Sequence, residues 1–134
     1  MSEPGVPGPR GDGSVERGAR PVAYGYICLQ HDDEDVITEL HELVTAFAEA
    51  EGLALQEIYV DRNVRPGQTV RPGLVVLLDA VVRCEAGCVV VVPMGAHLSP
   101  EERVRGAMEV EMEMLGGRIV VVDSRRAPVR GETG

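Results

Sequence analysis

The sequence predicts an α/β fold in three layers: a four-stranded parallel sheet of order 2-1-3-4 with helices on both faces. Three observations lead there. Short apolar runs of strand length alternate with segments of helical period in the order β-α-β-α-β-α-β, and the links between them are short. Cys88-Val-Val-Val-Val-Pro93 is an uninterrupted β-branched run, as expected of a central strand covered on both sides. Ala23 to Leu29 is likewise apolar and uncharged and ends in Gln30-His31 before Asp32, Asp33, Glu34 and Asp35. Parallel strands joined through helices require right-handed crossovers. The reversal between the first and third strands then makes the crevice at their C-terminal ends the expected binding site.

The elements follow in order. A first helix is predicted from about Asp33 to Ala50, with Val36, Leu40, Leu43 and Phe47 on its apolar face. Asp32 or Asp33 is placed to cap it, and Gly52 to end it in a left-handed conformation. The four acids above its N-terminus read as capping and solvation rather than as a metal site. Leu53 to Val60 reads as a second strand nearer a sheet edge, ended by Asp61. A loop rich in Pro and Gly leads to Pro72, at the first position of a helix defined by Leu74, Leu77, Leu78 and Val81. After the third strand, Ser99, Pro100 and Glu102 read as an N-cap, a first-turn proline and a capping-box glutamate. That helix would bury Val104, Met108, Met112 and Leu115 and leave Val110 and Met114 pointing elsewhere. Gly116-Gly117 separates it from a fourth strand, Arg118 to Val122.

With 134 residues and 44% apolar composition, the chain suits one core. The expected organisation is a disordered tail over 1–21, the α/β domain over 22–123 and a second disordered tail over 124–134. No apolar run reaches the length of a membrane helix and no secretory signal is visible, so a cytoplasmic protein without membrane contact is expected. Between residues 22 and 123 there are 7 basic and 18 acidic residues, a net of −11 that disfavours nucleic-acid binding. Cys28, Cys84 and Cys88 form no C-x-x-C pair and read as reduced packing residues.

Residues 22–123 resemble the catalytic domain of the serine recombinases, the resolvase and invertase family. In that family the first strand reads close to G-Y-x-R-V-S-T-D-D-Q, and here Gly25-Tyr26-Ile27-Cys28-Leu29-Gln30-His31-Asp32-Asp33-Glu34 stands in its place. Asp61 matches an aspartate that commonly ends the second strand. Arg71-Pro72-Gly73-Leu74 repeats the family's R-P-G-L letter for letter. The valine run leading to L-D-R-L-G-R is matched by Val89 to Val92 followed by Met94-Gly95-Ala96-His97-Leu98-Ser99.

The resemblance implies a degenerate site. Gln30 stands where the family's nucleophilic serine would be, Cys28 where its first arginine would be, and Gly95, Ala96 and Ser99 where an acid and two arginines would be. Arg71 alone matches an active-site arginine. Losing the nucleophile removes the covalent route, and each lost charge-stabilising donor raises the barrier further. The resemblance therefore implies a catalytically inactive, resolvase-like module that regulates or docks onto a protein partner or a second copy of itself, linked to DNA recombination, binding DNA weakly or not at all and needing no cofactor.

Three other readings stand beside it. An enzyme could reuse the crevice of Gln30, His31, Asp61, Met94 and His97, with the histidines in a metal site or a hydrolase; the plainer reading of each histidine is a surface residue beside a turn. A residual recombinase could act with a partner. A flavodoxin-like phosphate binder is the least supported, because the first turn offers acids rather than donors. For a docking surface the candidates are Val110 and Met114, apolar residues flanked by Glu109, Glu111 and Glu113.

Overall fold

The computed structural model describes residues 20–68 and 70–122. The two expected tails, 1–21 and 124–134, fall almost wholly outside these residues. The chain runs β1 (Val22–Cys28), α1 (Glu34–Ala50), β2 (Ala54–Asp61), α2 (Pro72–Arg83), β3 (Cys88–Val92), a 3-10 turn (Gly95–His97), α3 (Glu102–Leu115) and β4 (Gly117–Val121). All neighbouring strands are parallel and the sheet order is β2-β1-β3-β4, as the alternation of elements predicts.

The two faces of the sheet carry separate cores. Tyr26, Leu77, Val81, Cys88, Val90, Val92, Leu98 and Met112 form one beneath α2 and α3. Ala23, Val44, Val89, Val91, Val120 and Val122 form the other, against α1. Every residue of β3 is buried, which is why its pattern is a continuous β-branched run rather than an alternation. Gly25 leaves room for α1 on the sheet, since a β-carbon there would meet Val44 of α1 at 2.9 Å and Ile58 of β2 at 3.0 Å.

Three local expectations are corrected. The buried stripe of α1 is Ile37, Val44 and Ala48, with Val36, Leu40, Leu43 and Phe47 only partly covered, so the helix is turned by about one residue from the face its largest side chains suggest. Small Ala48 and β-branched Ile37 and Val44 let it settle closer to the sheet. Second, α3 begins two residues beyond the expected cap: Glu101 is the N-cap residue and has no side-chain cap bond. The Ser99 hydroxyl instead accepts the Glu101 N–H at 3.2 Å, closing a turn before the helix. Third, Val104 and Leu115, expected in the core, are each 40% exposed, because α3 meets the sheet and α2 through Met108 and Met112. At the other cap the expectation holds, with Asp33 accepting the Asp35 and Val36 N–H groups and Gly52 at φ +72°.

Candidate functional site at the strand ends

Two adjoining cavities open at the C-terminal ends of β1 and β3, of about 420 and 330 Å³. Cys28, Leu29, Gln30, Ala96 and Pro100 line both. The larger extends under the loop before α2, between Val64, Arg71 and Leu74 on one side and Val104 and Met108 on the other. The smaller is closed by His31, Met94 and His97. The crevice that topology predicts is therefore present, and most of the candidate residues meet there.

Asp61 does not belong to it. Its carboxylate is only 4% exposed and faces inward, accepting the Tyr26 hydroxyl at 2.7 Å, the Gly73 N–H at 2.7 Å and the Leu74 N–H at 3.0 Å. Arg71, the N-cap residue of α2, makes no side-chain cap bond, so a carboxylate from the neighbouring strand satisfies the first-turn donors and complements the helix dipole. Gly73 is needed for this approach, since a β-carbon there would lie 3.0 Å from both Asp61 oxygens. Tyr26, a site-organising residue that the sequence pattern hides within an apolar strand, has its hydroxyl pKa raised by burial and by its bond to Asp61.

Arg71 lines the larger cavity beside this anchor, and one of its terminal nitrogens donates to the His97 carbonyl at 3.3 Å. Among the described residues no carboxylate forms an ion pair with it.

His97 is not the surface histidine its place in a loop suggests. It is 4% exposed, and its Nδ1 accepts the Cys28 backbone N–H at 2.9 Å. That bond needs a free lone pair on Nδ1, which assigns the ring proton to Nε2. Burial holds its pKa down at about 4. His97 thus ties the turn after β3 to the end of β1. His31 is exposed, and its Nδ1 accepts the Asp33 N–H at 3.1 Å, which orders the turn entering α1.

The remaining candidates divide plainly. Gln30, Met94 and Ala96 are exposed at the rim. The Cys28 thiol is half-buried with its pKa raised, burial outweighing the nearby Arg71 charge. Ser99 is 6% exposed and its hydroxyl is held in the turn described above. A β-carbon on Gly95 would lie 3.0 Å from the Arg105 side chain, which reaches back from α3 and donates to the Ser99 carbonyl at 3.0 Å and the Pro100 carbonyl at 3.3 Å. Arg105 was missed because its sequence neighbours mark only an exposed helix turn. Away from the crevice, Val110 is 58% and Met114 80% exposed. Among the described residues no three His, Cys, Asp or Glu side chains gather as a metal site, and no helix is long and apolar enough to cross a membrane.

No family model and no curated protein matches the sequence. Solved structures do match the fold. The C-terminal catalytic domain of ISC1926 TnpA, an IS607-like serine recombinase, superposes with a TM-score of 0.65 at 22% identity, over 75% of this chain and 68% of that one. The N-terminal catalytic domain of TP901-1 integrase gives 0.68 at 18% identity, over 77% and 79%. A resolvase family site-specific recombinase from Streptococcus pneumoniae gives 0.65 at 13% identity, over 78% and 74%. The chain has a resolvase-like catalytic-domain fold.

Proposed function

We propose that this chain is a resolvase-like domain that does not break DNA and acts by docking, onto a second copy or onto a protein partner in DNA recombination. The observation that carries the reading is the make-up of the crevice. Gln30, without a nucleophilic oxygen, stands at the mouth of both cavities. The nearby alternatives are engaged or unactivated: the Ser99 hydroxyl sits in a turn, and burial keeps the Cys28 thiol protonated. Arg71 is present but is also occupied with the His97 carbonyl. Acidic composition, with a net charge of −9, opposes approach of a phosphate backbone. The docking half of the reading rests on Val110 and Met114, exposed on α3 among glutamates.

A hydrolase or metal enzyme built on His31 and His97 has less support, because each histidine already spends its Nδ1 lone pair on a backbone N–H.

The direct test is incubation with supercoiled DNA followed by denaturation and a search for nicks and covalent protein–DNA adducts. None is expected. Adducts formed by the wild type and lost in Gln30→Ala would overturn the reading, and adducts that appear only with an added recombinase would replace it with a partner-dependent enzyme. Light scattering tests the docking half: a dimer or larger species is expected, weakened by Val110→Glu with Met114→Glu, whereas a strict monomer that recruits no recombinase would count against it.

A further inference from the structure

We infer that the outer face of α3 is a seat for a basic amphipathic helix of a partner protein; the inference rests on the docking reading above and names its occupant. Met108 and Met112 turn into the fold. At about 100° per residue, Arg103, Gly106, Ala107, Val110 and Met114 then lie on the opposite side of the helix, and all of them are exposed. They form one stripe along α3, with the bulky apolar residues in its C-terminal half and the two smallest residues near its middle.

Gly106 points to something outside the fold. It lies inside a right-handed helix, where glycine costs stability relative to alanine, and a β-carbon there would meet nothing within 4 Å. At Gly25 and Gly73, by contrast, a β-carbon would strike Val44 and Asp61. Packing within the domain therefore accounts for those glycines and not for Gly106. With Ala107 beside it, Gly106 leaves a dip between Arg103 and Val110 that lets the backbone of a crossing helix come close, because the side chains at the crossing set the distance between packed helices.

Charge selects the occupant. Glu102, Glu109 and Glu113 run along one side of the stripe and Glu111 borders the other, all exposed. Among the described residues none of these glutamates forms an ion pair. Arg103 is the one cation of the stripe and sits at its N-terminal end beside Glu101 and Glu102, while Arg105 is turned away to the Ser99 and Pro100 carbonyls. A helix with an apolar stripe flanked by lysines or arginines matches this face twice over: its apolar side chains cover the dip, Val110 and Met114, and its cations meet the glutamates on either side. A second copy matches only the apolar half. Two α3 helices packed antiparallel about a two-fold axis bring the same flank of each together, so Glu102, Glu109 and Glu113 meet the same glutamates of the other copy. Self-association through this face is accordingly weak, strengthened by salt and displaced by a basic helix.

The probe is a fluorescently labelled amphipathic leucine–arginine peptide, with a scrambled peptide of the same composition as its control, and anisotropy is read at low and at physiological salt. The full chain is expected to bind the amphipathic peptide at least about tenfold more tightly than the scrambled one. Gly106→Leu fills the dip without changing charge and should weaken binding about tenfold, with a urea midpoint no lower than that of the wild type. Val110→Gln with Met114→Gln should weaken it through the apolar half, and Glu109→Gln with Glu113→Gln should both weaken it and flatten its salt dependence. Equal binding of the two peptides, or binding untouched by Gly106→Leu and by the Val110 and Met114 variant, would overturn the inference, since the acidic chain would then be attracting cations without a seat. A dimer that excess peptide does not displace and that Gly106→Leu dissociates would give the face to a second copy, overturning the inference while leaving the docking reading in place. A strict monomer that binds neither the peptide nor a recombinase would remove both.

Discussion

β1 and β2 are neighbours that end on the same side of the sheet, yet the two ends are built differently. At the end of β2, Asp61 is buried and saturated, tying Tyr26 of β1 to the first turn of α2. At the end of β1, Gln30 and His31 are exposed, and the His31 ring serves a local turn by accepting the Asp33 N–H. The difference separates what the resolvase-like fold needs in order to stand from what a site at its edge can change. Arg71-Pro72-Gly73-Leu74 and Asp61 belong to the first class, because each has a partner in the interior or at the helix start. Gln30, Ala96 and Met94 belong to the second: they line open space and constrain little.

That contrast predicts a graded set of outcomes. Asp61→Ala strands the Tyr26 hydroxyl and two helix N–H groups at once, and should cost about 3–5 kcal/mol in urea denaturation. Gln30→Ala should shift the same curve by under about 0.5 kcal/mol. A mild Asp61→Ala would dissolve the distinction between the two strand ends.

His97 sharpens the comparison from the third strand. The unfolded chain takes up a proton near the ordinary histidine value of 6.5, the folded one only near 4. Its contribution to stability is therefore complete above pH 6.5 and is lost as pH falls from 6.5 through 4, by about 2–3 kcal/mol. Carboxylates also titrate toward the bottom of that range, so the informative quantity is the difference from His97→Asn, whose amide oxygen can accept the Cys28 N–H. The variant should show a flatter profile between pH 6.5 and 5, and an unchanged profile would mean that His97 is protonated in the folded state.

Gly73→Ala probes the same anchor with one methyl group. The carboxylate it meets at 3.0 Å is held by three bonds and cannot easily retreat, so a loss of about 1–3 kcal/mol is expected by thermal or urea unfolding. The smallest effect on stability belongs to Val110→Glu with Met114→Glu, within about 0.5 kcal/mol because both side chains face solvent. Their effect should instead appear as a fall in apparent mass by light scattering, and a large loss of stability would show that they pack against something within the fold.

The order of strands and helices, the central valine strand and a cap at Asp32 or Asp33 were legible in the sequence, because they depend on periodicity and on residues adjacent in the chain. The direction in which α1 turns its face was not, since closeness of packing against Gly25 outweighed side-chain size. Nor was the start of α3, where Ser99 chose the turn over the helix. The site divides in the same way. Topology alone brought Gln30, His31, Met94 and His97 to one edge. Whether a polar side chain there faces the cavity or the interior depends on partners 35 residues away for Asp61 and 69 for His97. Local pattern carries no record of such partners, because a buried carboxylate or imidazole keeps its place only through the hydrogen bonds that the assembled strands supply.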